Sequence, residues 1–158
     1  MSNERIRGYR PEDLAAVYQL IHETIDVCYA GIYPPHAIVH FKQFHSVEGI
    51  AARAQKGTLL VVEKGGSVIA TGACVHGEIY GVFVDPKAQR SGCGRALMRE
   101  LEKAANSEGY TEIGLDISLP SRGFYEGLGY VVLEECAIDV GEGEPLRYWK
   151  AKKALREQ

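Results

Sequence analysis

The chain has 158 residues, the length of about one domain. Its hydrophobic fraction of 46%, charged fraction of 25% and net charge of −3 are typical of a globular protein, and they exclude a disordered, collagen-like or coiled-coil chain. The slight acidity argues against a general nucleic-acid binder, because such proteins depend on a basic surface.

Neither a membrane span nor a secretion signal is expected from the sequence. The longest uninterrupted aliphatic stretch, Leu59 to Val62, is far shorter than the roughly 18 residues of a span. The N-terminal residues contain no apolar signal region. The four cysteines form no C-x-x-C pair, which disfavours a metal cluster or a disulfide framework. We therefore expect a cytoplasmic protein with no membrane partner.

The predicted elements begin with a short strand over 6–9 and a helix that starts at Pro11. Apolar residues recur along this helix at steps of three and four up to Cys28, which gives it one apolar face. The later elements are helices over 36–44 and 47–55, strands over 58–64, 67–75 and 78–85, a helix over 92–107, a strand over 110–117, a short helix over 120–128, and strands over 130–139 and 146–151. We expect the last two strands to pair across the loop 141–145. This order predicts a mixed sheet with flanking helices.

The most informative segment is the loop that joins the strand over 78–85 to the helix after it. Gly92 and Gly94 open that helix, whose unpaired amides and dipole can bind an anion. Arg90 and Arg95 add positive charge to this loop. Leu97 is too large for the third position of a dinucleotide-binding fingerprint, and the Gly-Lys-Ser/Thr ending of a Walker loop is absent. Taken alone, the pattern fits a phosphate site and a glycine-softened helix start about equally well.

Two segments together resemble the GNAT superfamily of acetyl-CoA-dependent N-acetyltransferases. Gln89-Arg90-Ser91-Gly92-Cys93-Gly94, after Val82-Phe83-Val84-Asp85-Pro86, is similar to the family's Q/R-x-x-G-x-G/A motif. Phe124-Tyr125-Glu126-Gly127-Leu128-Gly129-Tyr130 is similar to its Phe-Tyr-x-x-x-Gly-Phe/Tyr helix. The resemblance implies one domain over 1–158 with a mixed α/β fold. Its central sheet is mostly antiparallel, splayed between the fourth and fifth strands and flanked by helices.

The resemblance also implies a binding site for acetyl-CoA. In the family the pantetheine arm pairs with the backbone of the motif strand and the pyrophosphate lies on the loop amides. The positions that carry over are Val82, Phe83, Val84, Gln89, Arg90, Ser91, Gly92, Cys93, Gly94 and Arg95. Ser118 either hydrogen-bonds the cofactor or caps the following helix. Gly81 lies within the motif strand, where a glycine is consistent with the splay.

Two catalytic residues follow from the resemblance. Tyr125 aligns with the tyrosine that protonates the departing thiolate, and a phenol with a pKa near 10 can still donate at neutral pH. The alternative is a buried tyrosine that supports the helix. Family members use a carboxylate near the motif strand, or a water relay, as the base. Glu78 is the candidate base, with His76 and Tyr80 as second choices, and a surface turn glutamate is an equally good interpretation of Glu78.

Substrate specificity in the family comes from the first helices and the loop between them. Aromatic and histidine side chains in that region predict a substrate pocket that includes Tyr29, Tyr33 and His36, with Tyr80 contributed by the motif strand. The alternative is a mostly solvated helix. His36 and His40 are four residues apart, but no third ligand follows at convincing spacing, so no metal is expected.

The function that the resemblance implies is acetyl transfer from acetyl-CoA to a primary amine by direct attack in a ternary complex. The amine is either a small molecule or part of a protein, and the resemblance allows a homodimer because dimers are common in the family. Two alternatives stay open: an acyl-CoA sensor that does not catalyse transfer, and a transferase of a longer acyl group. Cys93 could suggest an acyl-cysteine intermediate, although a small packing residue fits its position in the loop better.

Overall fold

A computed structural model describes residues 3–141 and 143–156. Glu142, in the predicted loop 141–145, lies outside the described residues. The strands are β1 (Glu4–Gly8), β2 (Thr58–Lys64), β3 (Ser67–Val75), β4 (Glu78–Val84), β5 (Glu112–Ser118), β6 (Val131–Ile138) and β7 (Leu146–Ala154). The helices are α1 (Leu14–Cys28), α2 (Pro35–Phe44), α3 (Val47–Lys56), α4 (Cys93–Ser107) and α5 (Arg122–Gly127). No helix among the described residues is long and apolar enough to cross a membrane.

The seven strands form one sheet in the order β1-β2-β3-β4-β5-β7-β6. All neighbouring pairs are antiparallel except β4 and β5, which are parallel and pair only at Glu78 with Gly114 and at Ile79 with Leu115. Beyond Ile79 the two strands separate, so the edge of β4 that faces β5 is open. This confirms the predicted mixed sheet and its splay between the fourth and fifth strands.

Helices cover both faces of the sheet because each carries one apolar stripe. On one face α4 buries Leu97, Met98 and Leu101 against the strands. On the other face α1 buries Val17, Ile21 and Ile25 at the spacing of a helix that packs one side, together with residues of α2 and α3. Val62 belongs to the first cluster and its neighbour Val61 to the second, as expected for alternating residues of a strand.

The last strand differs from the prediction in its neighbours. The sequence predicts that β7 pairs with β6, and it does, but β7 also lies against β5 over the whole of Glu112–Ser118. Its pairing continues to Ala154, beyond the predicted end at 151. The pairing with β5 joins segments that are distant in sequence, and hairpin patterns do not report such contacts.

The first helix also begins later than predicted. Pro11–Asp13 forms a single 3-10 turn and α1 starts at Leu14. Asp13 accepts two hydrogen bonds from the Arg7 guanidinium at 2.8 and 2.9 Å and one from the Arg10 amide at 2.7 Å. This arrangement fixes the start of α1 to strand β1.

Candidate active site

The splay between β4 and β5 opens two adjoining cavities. The larger, of about 480 Å³, is called here the loop groove, and the smaller, of about 200 Å³, the acidic cavity. The loop groove is lined by Thr24, Cys28, Tyr29, Val82, Phe83, Val84, Ala88, Gln89, Arg90, Gly92, Gly94, Arg95, Pro120, Ser121, Phe124 and Tyr125. Five residues, called here the shared wall, line both cavities: Tyr29, Val82, Phe83, Ser121 and Tyr125.

The backbone of the glycine loop presents free donors to the loop groove. Gly92 has a φ of +90° and precedes α4, a conformation that glycine adopts at little cost. The amides of residues 92–95 have no hydrogen-bond acceptor within the part of the chain that the structure describes. A Cβ at Gly94 would lie only 3.3 Å from both Phe124 and Val84, so a larger residue would crowd the groove. These donors, with the dipole of a 15-residue helix, suit a phosphate group.

Most of the predicted cofactor residues line the loop groove, and three do not. The Ser91 hydroxyl donates to the Ala88 carbonyl at 2.6 Å, which holds it against its own loop. The Cys93 side chain is only 2% exposed and packs in the core with its Sγ 3.8 Å from the same carbonyl oxygen. Ser118 lies in the acidic cavity, where its hydroxyl is 2.8 Å from that of Ser121.

Strand β4 contains a bulge next to the shared wall. Gly81 has a φ of +60°, and the register with β3 shifts between Thr71 and Ala73. The positive φ favours glycine at this position, and a Cβ here would lie 2.5 Å from Nη1 of Arg53. Arg53 donates to the Phe44 carbonyl at 3.1 Å and to Nδ1 of His45 at 2.9 Å. The bulge is therefore supported from beneath by α3 and by the end of α2.

Two residues of the shared wall, Tyr29 and Tyr125, are tyrosines. Tyr125 is 6% exposed, and its hydroxyl makes no hydrogen bond to any described residue. Burial raises its pKa, and the charge that Tyr29 would carry raises it further, so Tyr125 stays protonated at neutral pH. Burial raises the pKa of Tyr29 to about 12, although the Ser118 hydroxyl opposes this rise. The shared wall therefore offers a protonated donor where the two cavities meet.

The acidic cavity combines aromatic walls with two carboxyl groups. Its lining outside the shared wall is His40, Phe41, Phe44, His45, Glu78, Ile79, Tyr80, Gly81, Leu115, Asp116, Ser118, Ile138, Leu146 and Tyr148. Burial raises the pKa of Glu78, the charge of Asp116 raises it further, and Lys150 lowers it. Burial also raises the pKa of Asp116, against the effect of Lys150. A Cβ at Gly114 would lie 2.6 Å from Oε1 of Glu78, so this glycine makes room for the carboxylate.

Two of the four predicted substrate residues, Tyr29 and Tyr80, line the acidic cavity, and the other two do not. The Tyr33 hydroxyl donates to the Arg147 carbonyl at 2.9 Å and accepts from the Leu119 amide at 2.8 Å, which joins the loop after α1 to strand β7 and to the segment after β5. His36 lies on the exposed side of α2, and His76, a second choice as base, lies in the turn before β4. Within residues 3–141 and 143–156, no group of three metal-ligating side chains lies close enough to bind a metal ion.

Several lining residues were not singled out from the sequence, and Asp116 is the most important of them. Alternation along β5 places Gly114, Asp116 and Ser118 on one face. That this face meets Glu78 depends on the parallel register of β4 and β5, which the sequence pattern does not encode. Ser121 and Tyr148 reach the cavities for similar tertiary reasons.

The comparisons with known proteins agree with this fold. Residues 26–141, most of the chain, match the family model of the acetyltransferase (GNAT) domain. No curated protein matches the sequence. Among solved structures, a GCN5-related N-acetyltransferase from Rhodopseudomonas palustris is 24% identical, with a TM-score of 0.87 and 98% of each chain covered.

Two further solved structures have the same fold at lower identity. The PaiA N-acetyltransferase from Thermoplasma acidophilum, solved in complex with coenzyme A, is 21% identical with a TM-score of 0.77, covering 98% of this chain and 99% of that one. An N-acetyltransferase from Staphylococcus aureus is 19% identical with a TM-score of 0.76, covering 98% and 100%. The fold, the glycine loop and the family match together assign the chain to the GNAT acetyltransferase family.

Proposed function

We propose that this protein transfers an acetyl group from acetyl-CoA to a primary amine by direct attack in a ternary complex. The observation that carries the proposal is the meeting of two cavities of opposite charge at one wall. The charged residues of the loop groove are Arg90 and Arg95, and those of the acidic cavity are Glu78 and Asp116. An anionic cofactor and a cationic acceptor can therefore reach Tyr125 from different sides.

The residues of the loop groove fit acetyl-CoA, which supplies an activated thioester when bound. The free amides of residues 92–95, with Arg90 and Arg95 beside them, suit its pyrophosphate. The open edge of β4 beyond Ile79 leaves the backbone groups of Val82 and the amide of Val84 available to an extended, amide-containing arm, whereas the Val84 carbonyl accepts a hydrogen bond from Nε2 of Gln89 at 3.0 Å. Gly92 and Gly94 let phosphate oxygens approach the backbone closely.

Glu78 is the proposed base. An alkylamine with a pKa near 10 is protonated at neutral pH and must lose a proton before it attacks. Glu78 takes that proton, either directly or through a water molecule. Because burial and the charge of Asp116 raise the pKa of Glu78, this carboxylate is a stronger base than an ordinary one.

Tyr125 is the proposed acid. In the reaction a C–N bond forms at the acetyl carbonyl carbon and the C–S bond breaks, so negative charge develops on sulfur. The Tyr125 hydroxyl, unpaired and located where the cavities meet, donates to that sulfur. Its raised pKa keeps the proton available until charge develops. The ammonium loses one proton to Glu78 before it attacks, and the same nitrogen loses a second as the amide forms. The second proton replaces the one that Tyr125 gives to the thiolate and the first leaves Glu78 for solvent, so each turnover releases one proton.

The test is the initial rate of free-thiol release from acetyl-CoA across a panel of primary amines. We expect release that depends on the amine, with double-reciprocal lines that intersect, as direct attack requires. The Cys93→Ala enzyme should retain this activity, because the thiol packs in the core. Tight acetyl-CoA binding without amine-dependent release would favour the sensor, and faster release from longer acyl-CoA esters would favour the alternative acyl donor. Parallel lines together with an inactive Cys93→Ala enzyme would contradict direct attack.

A further inference from the structure

The acidic cavity contains two carboxylates that no lysine or arginine among its described lining residues compensates. Its lining includes no lysine or arginine among the described residues, and Glu78 and Asp116 are its acidic members. Burial lowers the pKa of His45 to about 3, so this imidazole is neutral at physiological pH. His45 therefore adds no positive charge to the cavity.

Both carboxylates lack a protein partner among residues 3–141 and 143–156. Other acids of this chain are paired: Asp13 with Arg7 at 2.8 Å and Glu102 with Lys153 at 2.9 Å. Glu78 and Asp116 accept no side-chain or backbone hydrogen bond and form no ion pair within 4.0 Å. Lys150 is opposite Asp116 in the pairing of β5 with β7 and lowers the pKa of both acids, but it forms no ion pair with either within 4.0 Å.

A second observation, independent of the two acids, also indicates that a ligand occupies this cavity. Tyr125, which is only 6% exposed, lines the same cavity at the shared wall. Its hydroxyl has no hydrogen-bond partner among the described residues. Along β5, Asp116 is two residues from Ser118, about 7 Å in an extended strand, and the Ser118 hydroxyl contacts Ser121 of the shared wall. A ligand that occupies the cavity between Tyr125 and Asp116 is therefore small, since the whole cavity has a volume of about 200 Å³.

We infer that the amine acceptor is a small aliphatic diamine whose second ammonium group binds Asp116 while its first nitrogen attacks beside Tyr125. The inference rests on the proposed function. When the attacking nitrogen has given its proton to Glu78, the remaining charge in the cavity is that of Asp116. A second ammonium neutralises it. Phe44, Tyr80 and Tyr148 line the same space and suit both a methylene chain and a cation.

The chemistry also excludes two other kinds of small acceptor as preferred substrates. An amino acid would bring its own carboxylate next to Glu78 and Asp116, and like charges disfavour such binding. A plain monoamine would leave Asp116 without a counterion. The cavity volume of about 200 Å³ is consistent with a small acceptor.

The experiment compares three acceptors with similar chains. Putrescine carries a second ammonium, n-butylamine a methyl group and γ-aminobutyrate a carboxylate. We measure kcat/KM by thiol release at saturating acetyl-CoA, and the Kd of each amine by calorimetry on the CoA-loaded protein. Putrescine should exceed n-butylamine by about tenfold or more in both measurements, because only its second ammonium can form a charge-assisted hydrogen bond with Asp116, and γ-aminobutyrate should rank last.

Asp116→Asn should remove most of the advantage of putrescine over n-butylamine without changing the Kd of acetyl-CoA. The matched control is Glu134→Gln. Glu134 is an exposed acid that is also opposite Lys150 in the sheet, but it lies outside the cavity lining. This control should keep the full preference. Equal values for putrescine and n-butylamine, or a preference that survives in Asp116→Asn, would overturn the inference.

Failure of the proposed function gives a different result. In that case acetyl-CoA binds but no amine releases thiol, and calorimetry alone decides the inference. Tighter binding of putrescine that depends on Asp116 would still support the cation site, whereas equal binding of putrescine and n-butylamine would overturn it.

Discussion

Tyr125 is the residue whose removal should separate chemistry from binding most cleanly. The Tyr125→Phe change keeps the ring that packs edge-on against Phe124 and Tyr130 and deletes only a hydroxyl without a described partner. We expect kcat to fall about a hundredfold, the usual scale of a lost general acid, while acetyl-CoA affinity and thermal stability stay close to wild type.

The matched control is Tyr110→Phe, a tyrosine outside both cavities that packs under Gly77. Steady-state kinetics and acetyl-CoA calorimetry on both variants provide the comparison. A Tyr125→Phe enzyme with full turnover and unchanged acetyl-CoA affinity would remove Tyr125 from the mechanism.

The proposed role of Glu78 as the base predicts how kcat/KM depends on pH. Only the ionised carboxylate accepts a proton, so kcat/KM should rise as the pH rises through the pKa of Glu78. Burial and the charge of Asp116 place that pKa above the ordinary value of about 4.3. Asp116→Asn removes the second cause and should shift this limb of the profile to lower pH.

Glu78→Gln should remove the limb altogether and lower kcat/KM by about a hundredfold or more. Glu134→Gln is again the control, since its side chain is exposed and lies outside the cavity. A Glu78→Gln profile that matches wild type in shape and height would show that another group, or solvent, accepts the proton.

The sequence could predict which single residues line the cavities where a motif or an isolated carboxylate indicated them. Arg90, Gly92 and Tyr125 belong to motif positions, and Glu78 stands at the start of the motif strand. Asp116 has no such local signal, because its importance comes from a neighbour on another strand. Histidine often lines substrate pockets, but His36 lies on the exposed side of α2, away from the cavity.

At the scale of elements, the glycine loop and α4 act as one anion-binding unit. Gly92→Ala should disturb this unit, because an L-residue at a φ of +90° costs about 1–2 kcal/mol and the loop relieves this strain by moving its amides. We expect acetyl-CoA affinity to fall about tenfold, measured by calorimetry.

Gly8→Ala tests whether that effect is specific, because its Cβ would meet nothing within 4 Å and its backbone is not left-handed. Affinity should stay at the wild-type value in this control. Equal affinity in Gly92→Ala would show that the loop amides contribute little to binding.

The boundaries of most elements followed from local patterns. Strands β2 and β3 match their predicted limits because alternating aliphatic residues flank the Gly65-Gly66 turn. The insertion of β7 between β5 and β6, and the bulge at Gly81, were not predictable in this way. The insertion of β7 arises from pairing between distant segments, and the bulge lies where the Arg53 guanidinium approaches β4.

In the whole molecule, the net charge is small but the charged residues of the two cavities are separated by sign. The net charge is only −3, yet the loop groove carries two arginines and the acidic cavity two carboxylates. Composition argued against a general nucleic-acid binder, but it could not reveal that the fold places opposite charges on the two sides of Tyr125. This separation supports the different sites proposed for cofactor and acceptor.

The most direct measurement follows an isotope-labelled acetyl group from acetyl-CoA into product by mass spectrometry. The protein is incubated with the labelled donor and putrescine, and free CoA is measured in the same samples. We predict one labelled acetamide for each CoA released, with both signals strongly reduced in Tyr125→Phe. Release of CoA that leaves the label as free acetate, or bound acetyl-CoA that never yields an amide, would contradict the proposed amine acetylation.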